Sequence, residues 1–350
     1  MSLPIRPPYP PMLALLTAEI PKGPEWIYEP KWDGFRCLAF RDGEDVELQS
    51  KAGQPLARYF PEVVEAVKEL SAERFVLDGE IVVPQGRGLS FDNLLQRIHP
   101  AESRIRKLAG ETPAQFLVFD LLVDEKGKLL TDLPLEERRA RLEGFAKKHF
   151  EGDGLIRLSP ATEDLKTAAK WLRSAGGAMD GVIAKRRDAE YRSGDRTGMQ
   201  KIKLLRTADC VVGGFRYASK GGGLGSLLLG LYDDNGLLHH VGFCSGMDAR
   251  RKKEFLPKVE ALRKPPGFTG RAPGGPSRWS TERTGEWVPL DPTLVVEVRY
   301  DHFAGDRFRH GTRFERLRPD KAPGECTLDQ VAQESGVWPM KFGARKTGRT

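Results

Sequence analysis

Charged side chains recur inside the strand-like apolar runs of this chain. Residues 76–83 read VLDGEIVV, residues 180–185 read DGVIAK, and residues 199–203 read MQKIK. Taken singly, each run indicates a β-bulge or a solvated sheet edge. Their repetition favours one shared charged ligand, because ionisable groups are costly in a core unless they are paired or bound. Lysines supply point charges for phosphates and carboxylates hold Mg²⁺ beside them, so we predict a site for a polyphosphate and a divalent cation.

One lysine of this kind is a candidate nucleophile. Lys31 lies in the segment EPKWDGFR (residues 29–36), between the apolar run 26–28 and a second predicted strand. An isolated Lys-x-Asp-Gly is usually a surface turn. Here the flanking apolar strands would partly desolvate the ammonium group of Lys31. Desolvation favours the neutral amine, which can attack an electrophile.

Length and strand spacing predict two domains. At roughly 150 residues per domain, a chain of 350 residues corresponds to about two. Strands and helices mix up to residue 205, whereas short strands, Gly-rich turns and a single helix follow. The second pattern is typical of a small β-barrel. We therefore predict an α+β chain with domains at residues 1–205 and 206–350, the second ending in a basic tail.

Apolar periodicity predicts the individual elements. Strands are expected at 26–28, 36–41, 46–49, 75–83 (interrupted at 78–80), 114–123, 181–185, 201–205, 211–217, 226–232, 237–243 and 294–300. Helices are expected at 60–70, 90–97 with a Ser cap, 135–150, 162–174 and 249–262. The Pro-rich residues 1–22 are expected to run extended over the surface, and residues 264–290 to form a long surface loop.

Charge and composition limit the partners and the location. The chain carries 56 basic and 49 acidic residues, a net charge of +7, which permits a polyanionic partner without requiring one. Six basic and two acidic residues fall in 307–321, which is either a solvated strand or a phosphate-binding surface. No apolar run approaches the ~20 residues of a membrane span, and no signal peptide is evident. The four cysteines form no Cys-x-x-Cys pair, so we expect free thiols, no zinc site and a cytoplasmic protein.

These segments, in this order, resemble the motifs of the covalent nucleotidyltransferases, and most of all those of ATP-dependent DNA ligases. The matching segments lie at 31–34 (KWDG), 50–53 (SKAG), 78–80 (DGE), 119–120 (FD), 180–185 (DGVIAK), 201–203 (KIK) and 313–321. The resemblance covers about residues 20–325. It implies an adenylation domain of the nucleotidyltransferase, ATP-grasp-like type, followed by an OB-fold β-barrel domain. The layout is most similar to the ligase modules of bacterial end-joining systems.

The resemblance also implies a reaction and its residues. Lys31 would attack the α-phosphate of ATP, and the resulting lysyl-AMP would pass its AMP to the 5′-phosphate of a DNA nick, which the 3′-hydroxyl then seals. The implied catalytic residues are Lys31, Asp33, Glu80, Lys185, Lys201 and Lys203. The implied ATP-binding residues are Glu29, Pro30, Lys31, Arg36, Lys51, Glu80, Phe119, Lys185, Arg196, Lys201, Lys203, Asp320 and Lys321. Mg²⁺ (or Mn²⁺) would be held by Glu80 and Asp180, and DNA by Lys51, Arg307, Arg309, Arg313, Arg316 and Arg318.

Within that set, the resemblance divides the work on the nucleotide. Glu29 would face the adenine amine, Phe119 would stack on the base, and Arg36 would contact the ribose. Asp320 and Lys321 would orient the leaving pyrophosphate.

Three positions depart from the family's usual residues. Lys51 stands where an arginine is usual, and a lysine cannot make the bidentate contact of an arginine with phosphate. Asp180 replaces a glutamate and is one methylene shorter, so a metal would shift or bind through water. Met199 stands where a tryptophan is common, which we interpret as a change of packing.

Other functions are compatible with the same residues. An RNA ligase and an mRNA-capping guanylyltransferase share the lysyl-nucleotide step, and a catalytically inactive relative would keep the fold and bind nucleic acid. The motifs favour a DNA ligase that acts on nicked or broken double-stranded DNA. We expect a monomer in the cytoplasm, on the bacterial nucleoid, with no membrane partner and with a Ku-like end-binding protein as a recruiting partner.

Overall fold

The computed structural model describes residues 3–86, 88–152, 154–175, 179–219, 221–274, 286–332 and 340. Contacts along the chain divide these residues into two units, 3–204 with Met340 and 205–332. Met340, which the sequence-based division placed in the second domain, packs its apolar side chain against a core cluster of the first unit. None of the helices in the described ranges is long and apolar enough to cross a membrane.

The first unit has eleven strands and five α-helices among its described residues. The strands are β1 (Leu15–Thr17), β2 (Trp26–Trp32), β3 (Phe35–Asp42), β4 (Asp45–Ser50), β5 (Arg74–Val82), β6 (Pro84–Gln85), β7 (Gly88–Leu89), β8 (Gln115–Val123), β9 (Ile156–Leu158), β10 (Met179–Arg186) and β11 (Met199–Lys203). The helices are α1 (Pro61–Glu69), α2 (Phe91–Gln96), α3 (Glu102–Glu111), α4 (Leu135–His149) and α5 (Leu165–Arg173), with a 3-10 turn at Ala57–Tyr59.

Two sheets organise this unit. One has the strand order β4-β3-β5-β8-β9, the other the order β1-β11-β10-β2, and β6 pairs with β7. Helices α1 and α4 supply Val63, Val67 and Phe145 to a core cluster with β3, β5 and β8. Trp171 of α5 and Val182 of β10 belong to another cluster, which includes residues of both sheets. Every residue of β8 is buried, as expected of a central strand that is covered on both faces.

The second unit is a closed barrel. Its strands are β12 (Arg206–Tyr217), β13 (Leu224–Tyr232), β14 (Leu238–Gly246), β15 (Val288–Pro289), β16 (Val295–Tyr300), β17 (Phe303–Ala304), β18 (Arg307–Phe308) and β19 (Thr312–Leu317), with α6 (Ala249–Ala261) after β14 and 3-10 turns at Pro323–Glu325 and Leu328–Val331. The pairing order β12-β13-β14-β19-β16 returns to β12, and β14 and β19 run parallel. Five strands in this circular order, with a helix between the third and fourth barrel strands, form the OB fold. The predicted fold class is confirmed.

Several predicted elements differ from the observed ones. All five predicted helices are present, and the side chain of Ser90 caps α2 by accepting a hydrogen bond from Asn93 N–H. Helix α3 was missed because Ile105 is its one buried residue, so it has no apolar stripe. The predicted break at 78–80 is wrong, since β5 continues through it. There, a shift in the pairing with β8 absorbs the irregularity.

Two predicted surface segments also contribute to the interior. The extended N-terminal segment buries Leu3 and Met12 and forms β1, which pairs with β11. In the predicted loop 264–290, Phe268 and Leu290 are buried and β15 pairs with β12, while residues 275–285 lie outside the described residues. Apolar side chains in Pro- and Gly-rich segments show no helical or strand periodicity, so the sequence pattern did not predict that these residues are buried.

Candidate active site

Three neighbouring strands place the predicted nucleophile among other lysines. In the register of β2, β10 and β11, Lys31 is opposite Gly181 and Gly181 is opposite Lys203. Glu29 and Lys201 occupy the adjacent row of the same face, because residues two apart on a strand point the same way. Sheet pairing therefore brings together residues that are far apart in the sequence.

Gly181 is the one position in this arrangement that excludes a side chain. Its φ is +153°, and a Cβ atom there would lie 1.9 Å from the carbonyl oxygen of Ile202. Such a distance is far inside van der Waals contact, so a larger residue would push β11 away from β10. The close approach of these two strands places Lys203 next to the row that carries Lys31.

Asp180 lies between the two lysines. Its Oδ2 accepts a hydrogen bond from Lys31 Nζ at 2.6 Å and lies 3.6 Å from Lys203 Nζ. A carboxylate oxygen of the buried Asp33 lies within 4.8 Å of one of Asp180. The donor set of Asp33 and Asp180 consists of carboxylate oxygens, and a hard divalent cation such as Mg²⁺ prefers oxygen ligands. The predicted metal ligand Asp180 thus fits, and Asp33 is a second candidate ligand.

A buried ion pair lies along the same face. Glu29 Oε2 pairs with Lys185 Nζ at 2.8 Å. Its other oxygen, Oε1, is buried without a hydrogen-bond partner in the described part of the chain, 4.0 Å from Arg139 Nη1. A buried acceptor without a donor is costly, so Oε1 is suited to a ligand that donates a hydrogen bond. Sequence reasoning missed Arg139, because a helical arginine in α4 gives no signal that it faces a site.

Two cations that are far apart in the sequence lie close to the aromatic ring of Phe119. The Arg36 guanidinium carbon and Lys185 Nζ each lie 4.6 Å from the ring centroid, within the range of cation–π attraction. Arg36 also donates to both oxygens of Asp78, at 2.5 and 2.6 Å, and the Tyr191 hydroxyl donates to Asp78 at 2.6 Å. Asp78 therefore holds Arg36 in place. Burial raises the pKa of Tyr191, so its hydroxyl remains a donor.

Four other cations act on the ammonium group of Lys201. Burial lowers the pKa of Lys201, and the positive charges of Lys51, Lys31, Lys203 and Arg196 lower it further. Lys51 is exposed in the turn after β4, and Arg196 precedes β11. Because like charges repel, a polyanion that binds here relieves their repulsion. Of the lysines that the sequence assigned to ATP, this group contains Lys31, Lys51, Lys201 and Lys203.

Two family models match the chain. The model described as "ATP dependent DNA ligase domain" matches residues 11–203, and "ATP dependent DNA ligase C terminal region" matches residues 220–321. The chain belongs to the ATP-dependent DNA ligase family. It is a DNA ligase that uses ATP, as the motifs predicted, and the family favours this function over an RNA ligase, a capping enzyme or an inactive relative.

Relatives over the full length support the same family. The ligase is 44% identical over 342 residues to DNA ligase C1 of Mycolicibacterium smegmatis, with 95% of this chain and 96% of that protein covered. It is 44% identical over 348 residues to DNA ligase C of Mycobacterium tuberculosis, with the same coverage. It is 31% identical to the multifunctional non-homologous end joining protein LigD of Mycobacterium bovis, covering 88% of this chain and 38% of that protein.

A solved structure shares the fold. A chain from a structure–function study of Lig E DNA ligases matches with a TM-score of 0.53 and 16% identity, covering 88% of this chain and 99% of that one. At this identity the match concerns the fold alone, and it agrees with the two sheets and the barrel of the ligase.

In the second unit of the ligase, the predicted DNA-binding arginines differ in their surroundings. Arg307 and Arg313 are exposed. Arg309 is partly buried, and its backbone N–H donates to the His302 carbonyl at 3.1 Å. Arg316 is exposed but forms an ion pair with Glu297 at 2.6 Å. The sequence could not separate these arginines, because the partner of Arg316 comes from the neighbouring strand β16.

The terminal motif of the ligase forms an ion-pair cluster. Arg318, predicted to bind DNA, pairs with Asp209 and Asp320, and Lys321 pairs with Asp209. Asp209 lies outside the motifs, so no sequence pattern indicated its contacts.

Glu80 of the ligase has an unusual electrostatic environment. It lies opposite Arg36 in the β3–β5 pair. Burial raises the pKa of Glu80 to about 7, against the lowering effect of Arg36 and Lys31 and with a smaller raising effect of Asp33. Near neutral pH, the nucleotide-free ligase therefore holds Glu80 partly protonated. A cation that binds to its oxygens would favour the ionised form.

We predict that Glu80→Gln makes the free energy of unfolding less sensitive to pH, because glutamine imitates the protonated side chain at every pH. As pH rises from the unfolded-state pKa near 4.5 to 7, the unfolded wild-type chain loses its Glu80 proton first, which destabilises the folded wild type. Without nucleotide or metal, the variant should gain up to about 3 kcal/mol relative to wild type between pH 5 and pH 8, as measured by urea unfolding. The control is Glu65→Gln, at a mostly exposed position of α1. An equal difference between wild type and Glu80→Gln at both pH values would contradict the prediction.

Proposed function

We propose that the ligase joins DNA strands through a lysyl-AMP on Lys31. The observation that carries this proposal is the row in which Lys31 and Lys203 flank Gly181 with Asp180 between them. Lys31 Nζ attacks the α-phosphorus of ATP, a phosphorus–nitrogen bond forms, and the bond to the leaving pyrophosphate breaks. The ammonium must first lose a proton to solvent, and Asp180 Oδ2 holds Lys31 Nζ in place at 2.6 Å.

The remaining steps return Lys31 to its free form. An oxygen of the 5′-phosphate at the nick attacks the adenylate phosphorus and displaces the Lys31 amine, which takes up a proton. The 3′-hydroxyl then attacks the 5′-phosphate, loses its proton to solvent, and expels AMP as the strand is sealed. Lys201, Lys203, Lys51 and Arg196 neutralise the phosphate charge that develops in these transition states.

Around the nucleoside, we propose three contacts supported by the geometry. Glu29 Oε1, a buried acceptor with no hydrogen-bond partner among the described residues, receives a hydrogen bond from the adenine amine, next to the Pro30 backbone. Phe119 stacks on the base, and Arg36, which Asp78 holds beside that ring, contacts the ribose. Lys185 holds the Glu29 carboxylate in place by pairing with its other oxygen, Oε2, at 2.8 Å.

We propose that Asp180, Glu80 and Asp33 hold the divalent cation. All three offer carboxylate oxygens, and Asp33 raises the pKa of Glu80, which shows that the two side chains share an electrostatic environment. The ion, Mg²⁺ or Mn²⁺, supplies positive charge to the phosphate oxygens when bound. The substitution of the usual glutamate by Asp180 shortens the reach of that ligand by one methylene.

Replacing the nucleophile should abolish self-adenylation. When the ligase is incubated with [α-³²P]ATP and Mg²⁺, we expect label on the wild-type chain and none on Lys31→Ala, since alanine has no amine to attack the α-phosphate. Lys68→Ala removes an ammonium group from α1, outside the site, and serves as the matched control. Equal labelling of Lys31→Ala and wild type would refute the proposal.

We further propose that exposed arginines of the barrel bind the DNA backbone. Each phosphate contact steepens the salt dependence of DNA binding by about one unit of the log–log slope. Arg313→Ala should therefore lower the slope for nicked duplex DNA by about one. Arg316→Ala should lower it less, because Glu297 already neutralises Arg316. Binding isotherms at several salt concentrations measure both slopes, and equal losses for the two variants would contradict this difference.

We propose end joining as the pathway, with a Ku-like protein that recruits a monomeric ligase to broken DNA in the cytoplasm. Support comes from the 31% identity to a relative named for non-homologous end joining. At physiological salt, we expect joining of linear duplexes to increase when the Ku-like protein is added, because recruitment raises the local concentration of ligase. Efficient joining without that protein, together with no association in a pull-down, would count against the proposal.

A further inference from the structure

A carboxylate of the second unit holds two cations of the terminal motif. Asp209 lies on β12, and its side chain is 11% exposed. Arg318 Nη1 donates to both Asp209 oxygens at 2.8 Å, and Lys321 Nζ lies 3.1 Å from Oδ2. One strand residue thus contacts both an arginine and a lysine of the segment that follows β19.

The side chain of Gln330 holds the backbone of Asp209 in place. Its N–H donates to Gln330 Oε1 at 3.0 Å, and Gln330 Nε2 donates to its carbonyl at 3.1 Å. On the barrel wall, Asp209 pairs with Glu297 of β16. Because the N–H and the C=O of Asp209 are both hydrogen-bonded and its strand pairs with β16, the backbone that carries the carboxylate is held rigidly.

The segment held by Asp209 is a tight turn. Lys321 N–H donates to the Arg318 carbonyl at 3.2 Å. The Arg318 guanidinium uses its remaining nitrogens for Asp320, at 3.0 Å from Nε and 2.9 Å from Nη2. Arg318 therefore bridges Asp209 and Asp320. The four side chains carry two positive and two negative charges, and without Asp209 two neighbouring cations would face one anion.

We propose that Asp209 is a positioning residue for lysyl-AMP formation. Asp209 fixes the position of the Lys321 ammonium group directly and the position of the Asp320 carboxylate through Arg318. The inference rests on the lysyl-AMP proposed at Lys31 and on the role that the family resemblance implies for Lys321 and Asp320, which is to orient the leaving pyrophosphate. Pyrophosphate leaves in the first step only, since the sealing step expels AMP. A residue that acts through Lys321 and Asp320 therefore affects the first step and spares the last.

The test compares these two steps in the same variant. Asp209→Asn keeps the size of the side chain and removes its charge. We expect the rate of lysyl-AMP formation from [α-³²P]ATP to fall at least about tenfold, as expected when a positioned charge is lost. Sealing of a pre-adenylylated nick without ATP should stay within about threefold of wild type, which also shows that the variant is folded.

Two further variants separate charge from structure. Asp209→Glu restores the carboxylate one methylene further out and should recover part of the lost rate. Asp291→Asn removes the partner of Lys264, an exposed ion pair of the same unit at 3.0 Å, and should leave both steps unchanged. Equal losses of Asp209→Asn in both steps, or an unchanged or faster first step, would overturn the proposal.

A double-variant cycle tests whether Asp209 acts through Lys321. If it does, Asp209→Asn should slow the first step of a Lys321→Ala ligase far less than that of wild type, because the two effects are then not additive. Full additivity would overturn the proposal. If Lys321→Ala alone leaves the first step unchanged, the role proposed for Lys321 fails and the inference about Asp209 fails with it. The self-adenylation assay with wild type and Lys31→Ala tests the lysyl-AMP on Lys31 separately. Failure of the inference about Asp209 can therefore be distinguished from failure of the proposed function.

Discussion

The ion pairs of Asp180 with Lys31 and Lys203 are the interaction on which the chemistry proposed for the first unit depends. Three strands must pair in one register for these three side chains to meet. The close approach of β10 and β11 in this register depends on Gly181, because any Cβ there would collide with the carbonyl oxygen of Ile202. A sheet shifts all its side chains to the opposite face when its register slips by one residue. One glycine therefore constrains the position of Lys203, next to the strand row that carries Lys31.

Around that contact, the site satisfies most of its buried charges internally. Asp78 is bound by Arg36 and Tyr191, and Asp120 by Arg138 with two hydrogen bonds at 2.9 and 3.0 Å. Buried ion pairs of this kind add little stability but hold side chains in one geometry. The exceptions are informative. Among the residues that the structure describes, none donates to the buried Glu29 Oε1, and burial raises the pKa of Glu80 to about 7. Both groups are therefore suited to a ligand that supplies a proton or a positive charge.

The barrel shows a similar use of a strand-borne carboxylate. Asp209 contacts Arg318 and Lys321 as Asp180 contacts Lys31 and Lys203. In both units, a carboxylate on a β-strand gathers two cations from other parts of the chain. A strand is a stiff support, because its backbone is held by hydrogen bonds on its ladder. The cations reach it on long flexible side chains, and the fixed carboxylate removes part of that freedom.

The sequence by itself determined the motifs, their order, the two-domain fold class and most of the elements. It did so because Lys31, Asp180, Lys201 and Lys203 stand in short segments whose residue types reflect their chemistry, and because helices such as α4 have an apolar period. It could not reveal Arg139, Tyr191 or Asp209, which lie outside the motifs. Their importance comes from partners 110, 113 and 109 residues away (139 − 29, 191 − 78 and 318 − 209), at Glu29, Asp78 and Arg318. Only the tertiary structure decided these contacts, since side chains so far apart in the chain meet through sheet pairing and helix packing rather than through local sequence.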